Sequence, residues 1–184
     1  MKKILVFLML ILSTSAHAAL SGDVTGGGSF SNQVATDNGW IVESAAADGV
    51  DFWTLNANAG DTVSIDISSV IDFGISVYLG SVMDDLGFAF DNNADFIDPL
   101  SGQLGTYIGG TNGNFGVGGS LLSLMLPNTG IHTIAVGGDL GFGSAGPFSY
   151  AMNVNIVSVP EAATLLLLLS GIFALYFTRQ KIKP

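Results

Sequence analysis

The chain has no cysteine and only five lysine and arginine residues among its 184 residues. Without cysteine it has no disulfides, thiol nucleophiles, zinc–thiolate sites or c-type haem attachments. The five basic residues all lie near the two ends of the sequence: Lys2, Lys3, Arg179, Lys181 and Lys183. The middle of the chain therefore carries no cationic side chain other than His132 when its imidazole is protonated. Its fold must rest on apolar burial and backbone hydrogen bonds rather than on ion pairs.

Acidic residues accumulate in the middle of the chain. Of the 15 Asp and Glu residues, 14 lie between Asp23 and Asp139, and the remaining one is Glu161. Because phosphate binding needs Lys or Arg, this composition excludes a nucleic-acid ligand. Anionic membrane surfaces and acidic polysaccharides are also repelled, unless a divalent cation bridges them to the protein. The alternative interpretation is a solvated acidic surface that keeps an exported protein soluble.

The first 18 residues have the pattern of a secretory signal peptide. A basic start precedes the apolar run 4–12, and Ala16 and Ala18 are the small residues that a signal peptidase reads. We expect cleavage before Ala19 and export of the rest of the chain. An uncleaved anchor is the alternative, and it is disfavoured because so short a run cannot cross about 30 Å of hydrocarbon.

The last residues, 159–184, have the pattern of a membrane-sorting tail. The polar break Val159-Pro160-Glu161 precedes an apolar run over residues 162–177, and three basic residues follow it: Arg179, Lys181 and Lys183. An apolar helix followed by cations is typical of a stop-transfer segment with its basic end in the cytoplasm. The run has 16 residues, slightly fewer than the roughly 20 of a relaxed span. We predict one transmembrane helix over residues 162–177.

This tail closely resembles the PEP-CTERM sorting signal of Gram-negative bacteria, which has a V-P-E-P motif, a helix and a basic end. Ala162 stands where the second proline is usual, and the rest fits. The resemblance implies that an exosortase, a membrane transpeptidase-like enzyme, recognises the tail and cuts at the motif. It also implies transient anchoring in the inner membrane, and then release to the cell surface or the extracellular matrix.

The predicted exported domain, residues 19–158, has the pattern of strands and turns. Six segments alternate apolar and polar side chains or form short apolar runs: 50–55, 62–67, 71–79, 121–126, 131–136 and 148–156. A period of two with one polar face predicts antiparallel strands that are half buried. The predicted fold class is all-β, an antiparallel β-sandwich of jelly-roll or Ig-like type with about eight strands. Glycine-rich stretches at 26–28 and 105–119 are predicted to be flexible loops.

Part of this domain resembles bacterial pre-peptidase C-terminal domains, which open with a D-x-D-aromatic strand and an A-G-D/Q-T turn. The corresponding segments here are Asp48-Gly49-Val50-Asp51-Phe52 and Ala59-Gly60-Asp61-Thr62. Residues 126–136 and 146–150 resemble the later strands of that family, with His132 in place of the usual aromatic residue. The resemblance covers residues 48–157 and departs from the family in the glycine-rich stretch 86–119. It implies a small β-sandwich without catalytic activity, often associated with calcium.

One segment alternates oxygen-bearing side chains in the way that a hard cation requires: Asp91, Asn93, Asp95 and Asp98. These are candidate Ca²⁺ ligands. The EF-hand pattern is not met, because Phe96 replaces its glycine and Gly102 replaces its final glutamate. The alternative interpretation is an Asx-rich turn. Asp48 and Asp51 are a second candidate pair, for which the alternative is a solvated strand edge.

The sequence does not predict catalysis. Residues 141–146 fit G-x-G-x-x-G, but Pro147 and a strand follow instead of a helix, so we predict a glycine-rich connection. His132 is the only histidine after export, and no G-x-S-x-G motif is present. The pair Asp84-Asp85 resembles a glycosidase carboxylate pair only in composition, since such pairs arise easily in so acidic a chain.

Four aromatic side chains are candidates for a sugar-stacking platform: Trp40, Trp53, Tyr78 and Tyr107. Such a platform needs exposed rings, and the alternative is a place in the core or at its rim. With the sorting resemblance, the sequence predicts a non-enzymatic surface or matrix protein associated with exopolysaccharide or biofilm. Calcium between acidic loops and anionic polysaccharide is the predicted bridge. The alternatives are a secreted hydrolase or its accessory carbohydrate-binding domain, and a permanently anchored envelope protein.

Overall fold

The computed structural model describes residues 20–41, 49–82, 90–98, 101–111, 119–159 and 167–173. Several predicted features lie outside these ranges: Ala16, Ala18, Ala19, Asp48, Asp84, Asp85, Pro160, Glu161, Arg179, Lys181 and Lys183.

The described residues form ten strands: β1 (Leu20–Asp23), β2 (Gly28–Thr36), β3 (Val50–Ala57), β4 (Thr62–Ser69), β5 (Phe73–Leu79), β6 (Phe96–Ile97), β7 (Leu104–Gly110), β8 (Ser120–Met125), β9 (Gly130–Gly138) and β10 (Ala145–Val157). They make a six-stranded sheet in the order β1-β3-β9-β5-β7-β6 and a four-stranded sheet in the order β2-β10-β4-β8. Neighbouring strands are antiparallel except β1 and β3, which are parallel. The all-β sandwich is confirmed. The expected number of about eight strands was too low, because the short edge strands β1 and β6 carry no alternating pattern.

The main core lies between the two sheets. Strand β10 shows why: Tyr150, Met152 and Val154 are buried, while the residues between them are exposed. Beside them in the same sheet, β4 buries Val63 and Ile65 on the same face. Side chains alternate across a strand, so one apolar face per strand is enough to fill the space between two sheets. The predicted half-buried pattern is confirmed for these two strands.

Strand β5 differs from the prediction. It begins at Phe73 rather than at residue 71, and both of its faces are buried. Phe73, Ile75 and Val77 face the main core, and Tyr78 belongs to a second apolar cluster on the outer side of the six-stranded sheet. That cluster also contains Trp40, Val82, Phe90 and Phe96. The polar face expected for this strand was wrong, because the described residues 40–41 and 90–96 pack over it.

The glycine-rich stretch 105–119 was predicted to be a flexible loop, and this was wrong for its first part. Residues 104–110 form β7, which pairs with β5. Glycine is required here by close packing. A Cβ at Gly105 would come within 2.9 Å of the Phe96 ring, and one at Gly109 within 2.8 Å of Leu124. Residues 112–118 lie outside the described ranges.

Candidate functional site

The predicted calcium segment, from Asp91 to Asp98, covers the outer face of the six-stranded sheet. Trp40 Nε1 donates to Ser76 Oγ at 2.9 Å, and Ser76 Oγ donates to the carbonyl of Asn92 at 2.5 Å. The Asn92 amide in turn donates to the Trp40 carbonyl at 2.8 Å, and the Tyr78 hydroxyl donates to the Asp91 carbonyl. These bonds attach the segment to strand β5.

The acidic side chains of this segment are engaged in local hydrogen bonds. Asp91 Oδ1 accepts from the backbone N–H of Asn93 at 3.1 Å, and Asp95 Oδ1 accepts from the backbone N–H of Tyr107 at 2.7 Å. Asp98 is buried, and its Oδ2 accepts from the hydroxyl of the Ser101 side chain at 2.5 Å. The Asp91 contact is that of an Asx turn, whereas the Asp95 contact joins the segment to strand β7. Across the described ranges, no group of three or more His, Asp or Glu side chains is arranged to hold a metal ion.

Asp51, the described member of the second candidate pair, lies in a buried polar cluster between the sheets. Tyr150 of β10 donates its hydroxyl proton to Asp51 Oδ2 at 2.7 Å, and Trp53 Nε1 donates to the same hydroxyl oxygen at 2.9 Å. Burial raises the pKa of Asp51 to about 6, and hydrogen bonds from Tyr150, Ser21 and Asn32 oppose that rise. Burial and the Asp51 charge also raise the pKa of Tyr150. Asp51 is therefore a structural carboxylate rather than a solvated strand edge.

The predicted sugar-stacking platform is not formed. Trp40, Trp53 and Tyr78 are at most 4% exposed. Tyr78 packs edge-to-face against Phe96, with ring centroids 4.8 Å apart. Three of the four rings are core residues, as the alternative interpretation held. Trp53 packs in the main core between the sheets, whereas Trp40 and Tyr78 are buried in the outer cluster. Tyr107 is partly buried beside them.

The histidine and the glycine-rich motif do not form a catalytic arrangement. His132 has no exposed surface; its Nδ1 lies 3.0 Å from the Gly130 carbonyl, and burial lowers its pKa. Residues 139–144 connect β9 to β10, so the predicted connection is confirmed for residues 141–144, whereas Ala145 and Gly146 already belong to β10. In this connection the N–H of Ser144 donates to Asp37 Oδ1 at 2.7 Å, so the loop faces a carboxylate rather than an anionic ligand.

The predicted sorting motif begins at the edge of the sandwich. The backbone N–H of Val159 donates to Asp61 Oδ1 at 3.1 Å, and Asp61 Oδ2 accepts from the N–H of Asn58 at 2.8 Å. Asp61 is 2% exposed, so this carboxylate holds the chain end against the β3–β4 turn. Within the predicted transmembrane helix, residues 167–173 are helical and exposed. No helix among the described residues has both the length and the apolar character that a membrane crossing requires.

Sequence reasoning missed the structural role of three buried aspartates: Asp37, Asp61 and Asp139. Two of them follow a glycine in a turn, in the sequences Ala59-Gly60-Asp61 and Gly138-Asp139, which were recognised only as turn signals. A carboxylate after such a turn readily accepts backbone N–H groups, and this is what Asp61 does.

Comparison with known proteins gives a likeness of fold. No family model matches the chain, and no curated protein matches it. Among solved structures it is similar to CorA of Methylomicrobium album BG8, described as a surface-associated copper-binding protein important in copper acquisition. The TM-score is 0.57 at 14% identity, over 76% of this chain and 99% of that one. At this identity the likeness shows the fold alone.

Two further structures are similar at lower scores. MopE, a secreted copper-binding protein of Methylococcus capsulatus, has a TM-score of 0.46 at 11% identity, over 75% of this chain and 87% of that one. The pre-peptidase C-terminal domain of a Bacillus anthracis collagenase has a TM-score of 0.33 at 9% identity, over 73% of this chain and 90% of that one. Both TM-scores are too low to indicate a shared family, so membership of the pre-peptidase C-terminal family stays a prediction.

Proposed function

We propose that this protein is an exported, non-enzymatic component of the cell surface or extracellular matrix, sorted by an exosortase through its C-terminal tail. The observation that carries the proposal is the partition of charge. All five basic residues lie in the two terminal segments, while the body between them holds 14 acidic residues and no Lys or Arg. Apolar termini with basic flanks suit export and retention at a membrane, and an acidic body suits the outside.

The position of the sorting motif supports this proposal. Strand β10 ends at Val157, two residues before the proposed motif begins, and the N–H of Val159 donates to Asp61. A cut at the motif would leave all ten strands and their core intact. It would also remove the three cations of the tail, so that a wholly anionic sandwich is released.

The candidate side chains for hydrolysis are buried or already hydrogen-bonded, which supports a non-enzymatic role. A catalytic base must reach a substrate, yet His132 is fully buried and Asp51 is occupied by the hydroxyl of Tyr150. These contacts fit a protein whose role is binding at its surface rather than catalysis. CorA is described as surface-associated, which agrees with the proposed location.

At the surface, the body is proposed to join an exopolysaccharide or biofilm matrix through divalent cations. Direct contact between an acidic polysaccharide and a body without Lys or Arg is repulsive. Calcium removes this repulsion by binding carboxylates on both partners. Retention of the purified body on an anionic polysaccharide should then require millimolar Ca²⁺ and should be lost on addition of EGTA.

Mass spectrometry of the mature C-terminus, in producing cells with and without the exosortase, tests the sorting route. We expect a chain that ends near Pro160 when the enzyme is present and one that keeps Lys183 when it is absent. Glu161→Gln should block this processing, whereas Asn155→Ala, at an exposed position of β10, should leave it unchanged. An intact tail in both strains would favour the permanently anchored alternative.

Assay of the purified body on polysaccharides and peptides tests the non-enzymatic role. We expect no turnover. Turnover that His132→Ala or Asp51→Asn abolishes would establish the hydrolase alternative instead.

A further inference from the structure

A buried acidic corner lies at one end of the six-stranded sheet. Asp139 directly follows β9 and is 1% exposed, and neither of its carboxylate oxygens has a hydrogen-bond partner. Within the described ranges, the only other buried side-chain atom without a partner is His132 Nε2. Because buried polar groups are nearly always hydrogen-bonded, a carboxylate in this state indicates a missing partner.

Asp72 brings a second carboxylate to the same corner. Phe73 of β5 pairs with Gly138 of β9, so Asp72 lies opposite Asp139, and the N–H of Asp139 donates to the Asp72 carbonyl at 2.9 Å. Opposed residues of antiparallel strands project to the same face, with Cβ atoms roughly 5 Å apart. Burial and then the charge of Asp72 raise the pKa of Asp139 to about 6. Two like charges therefore face one another.

No cationic side chain among the described residues offsets these charges. The described ranges contain no Lys or Arg. His132 stands near the opposite end of β9, about 23 Å away along an extended strand. Its Nδ1 lies beside the Gly130 carbonyl, so the imidazole has no route to the corner.

The third aspartate nearby shapes the corner. The Asp37 carbonyl accepts from the N–H of Leu140 at 2.8 Å, and its Oδ1 accepts from the N–H of Ser144 at 2.7 Å. A Cβ at Gly138 would lie 2.5 Å from the Asp37 backbone, so glycine is needed for this approach. Asp37 thus fixes the turn that carries Asp139.

We propose that Asp139 and Asp72 bind a calcium ion, with backbone carbonyls and water as the remaining ligands. Both oxygens of Asp139 are free to bind one cation, and Ca²⁺ accepts bidentate carboxylates in flexible geometry. Mg²⁺ demands a near-ideal octahedron and loses its waters reluctantly, which a buried carboxylate disfavours. With only two carboxylates, the expected Kd is on the order of 10⁻⁴–10⁻³ M, as in extracellular modules. The site is separate from the segment 91–98, and it does not depend on the sorting route.

The test uses the full chain, purified in detergent and stripped with EGTA. Thermal unfolding at pH 7.5 over a series of CaCl₂ concentrations up to about 10 mM should show a midpoint that rises with calcium, because a ligand of the native state stabilises it. Calorimetric titration with CaCl₂ should give about one ion per chain with the Kd above.

Four variants locate the ion. Asp139→Asn should lose the calcium-dependent rise and should be more stable than wild type in EGTA, since it removes an unpaired buried charge. Asp72→Asn should also lose the calcium-dependent rise, and it tests the same site if Asp139→Asn does not fold. Asp66→Asn, at an exposed position of β4, removes the same charge and should keep the rise. Asp95→Asn, in the segment 91–98, should also keep it.

Three outcomes would overturn the proposal. One is a wild-type unfolding midpoint that calcium does not move. If that midpoint instead rises when the pH is lowered to 5, a proton rather than a calcium ion neutralises the corner. The second is a calcium response that Asp139→Asn retains in full. The third is a response that Asp95→Asn loses and Asp139→Asn keeps, which would assign the ion to the segment 91–98.

Discussion

Replacement of Asp51 by asparagine should change how the stability of the sandwich depends on pH. Asp51 is 7% exposed, and burial raises its pKa from 3.8 to about 6 despite the hydrogen bond from Tyr150. The native state therefore binds a proton at Asp51 more tightly than the unfolded chain does. The stability that results is fully present below about pH 3.8 and is lost as the pH rises through about 6.

The size of the effect follows from the pKa. A rise from 3.8 to about 6 corresponds to about 3 kcal/mol that disfavours the charged form in the native protein. Asparagine carries no charge at any of these pH values. The difference in unfolding free energy between wild type and Asp51→Asn should therefore move by about 2–3 kcal/mol in favour of wild type between pH 8 and pH 4.

Urea unfolding of residues 20–159, which contain all ten strands, measures this difference at each pH. The fluorescence of the buried Trp40 and Trp53 reports unfolding, and linear extrapolation gives the free energy. The repulsion between acidic surface groups also weakens at low pH. Its contribution is nearly the same in wild type and variant, so it cancels in the difference between their unfolding free energies. Asp66→Asn, an exposed substitution of the same charge, should show a nearly constant difference. A constant difference for Asp51→Asn as well would refute the reasoning.

Three further substitutions test other contacts. Tyr150→Phe removes a hydroxyl that serves both an indole N–H and a carboxylate, so urea unfolding should show a loss of about 2–4 kcal/mol. Gly74→Ala places a Cβ 2.0 Å from the Trp40 ring, and a loss of about 3 kcal/mol or more is expected from overpacking. Asp61→Ala leaves the N–H of Val159 without its acceptor, so hydrogen exchange at that amide should become much faster, with a stability loss of about 1–3 kcal/mol.

Controls separate these contacts from general effects of substitution. Gly26→Ala should be nearly neutral, because a Cβ there meets no atom within 4 Å. If Gly74→Ala is equally mild, the Trp40 ring does not pack on β5 as described. If the Val159 amide exchanges at the same rate in wild type and Asp61→Ala, the contact between the chain end and the turn does not persist in solution.

Sequence periodicity predicted the strands that have one apolar face. In β10 every second residue from Tyr150 to Val154 is buried, and β4 behaves in the same way. Both strands lie in the four-stranded sheet, of which only one face meets the core. Period-two alternation is a reliable signal in that situation, because exposure itself keeps the other face polar.

Periodicity failed where a third layer covers a sheet. The outward residues Ser76 and Tyr78 of β5 look like the solvent-facing half of a strand, yet both are fully buried. Ser76 is buried at no cost in hydrogen bonds, since it accepts from Trp40 and donates to Asn92. These partners are 36 and 16 residues away in sequence, so local reasoning could not pair them.

Composition and order along the chain were enough to establish its charge partition, its signal-like ends, and the alternating strands of its all-β body. These are local properties, which depend on the type and spacing of neighbouring residues. The role of each aspartate depended on distant chain segments that meet only in the folded protein. Asp51 is occupied by a tyrosine 99 residues away, Asp61 holds a backbone amide 98 residues away, and Asp139 is left without a partner. One residue type has three environments here, because burial and hydrogen-bond partners are set by packing between the sheets and at their ends.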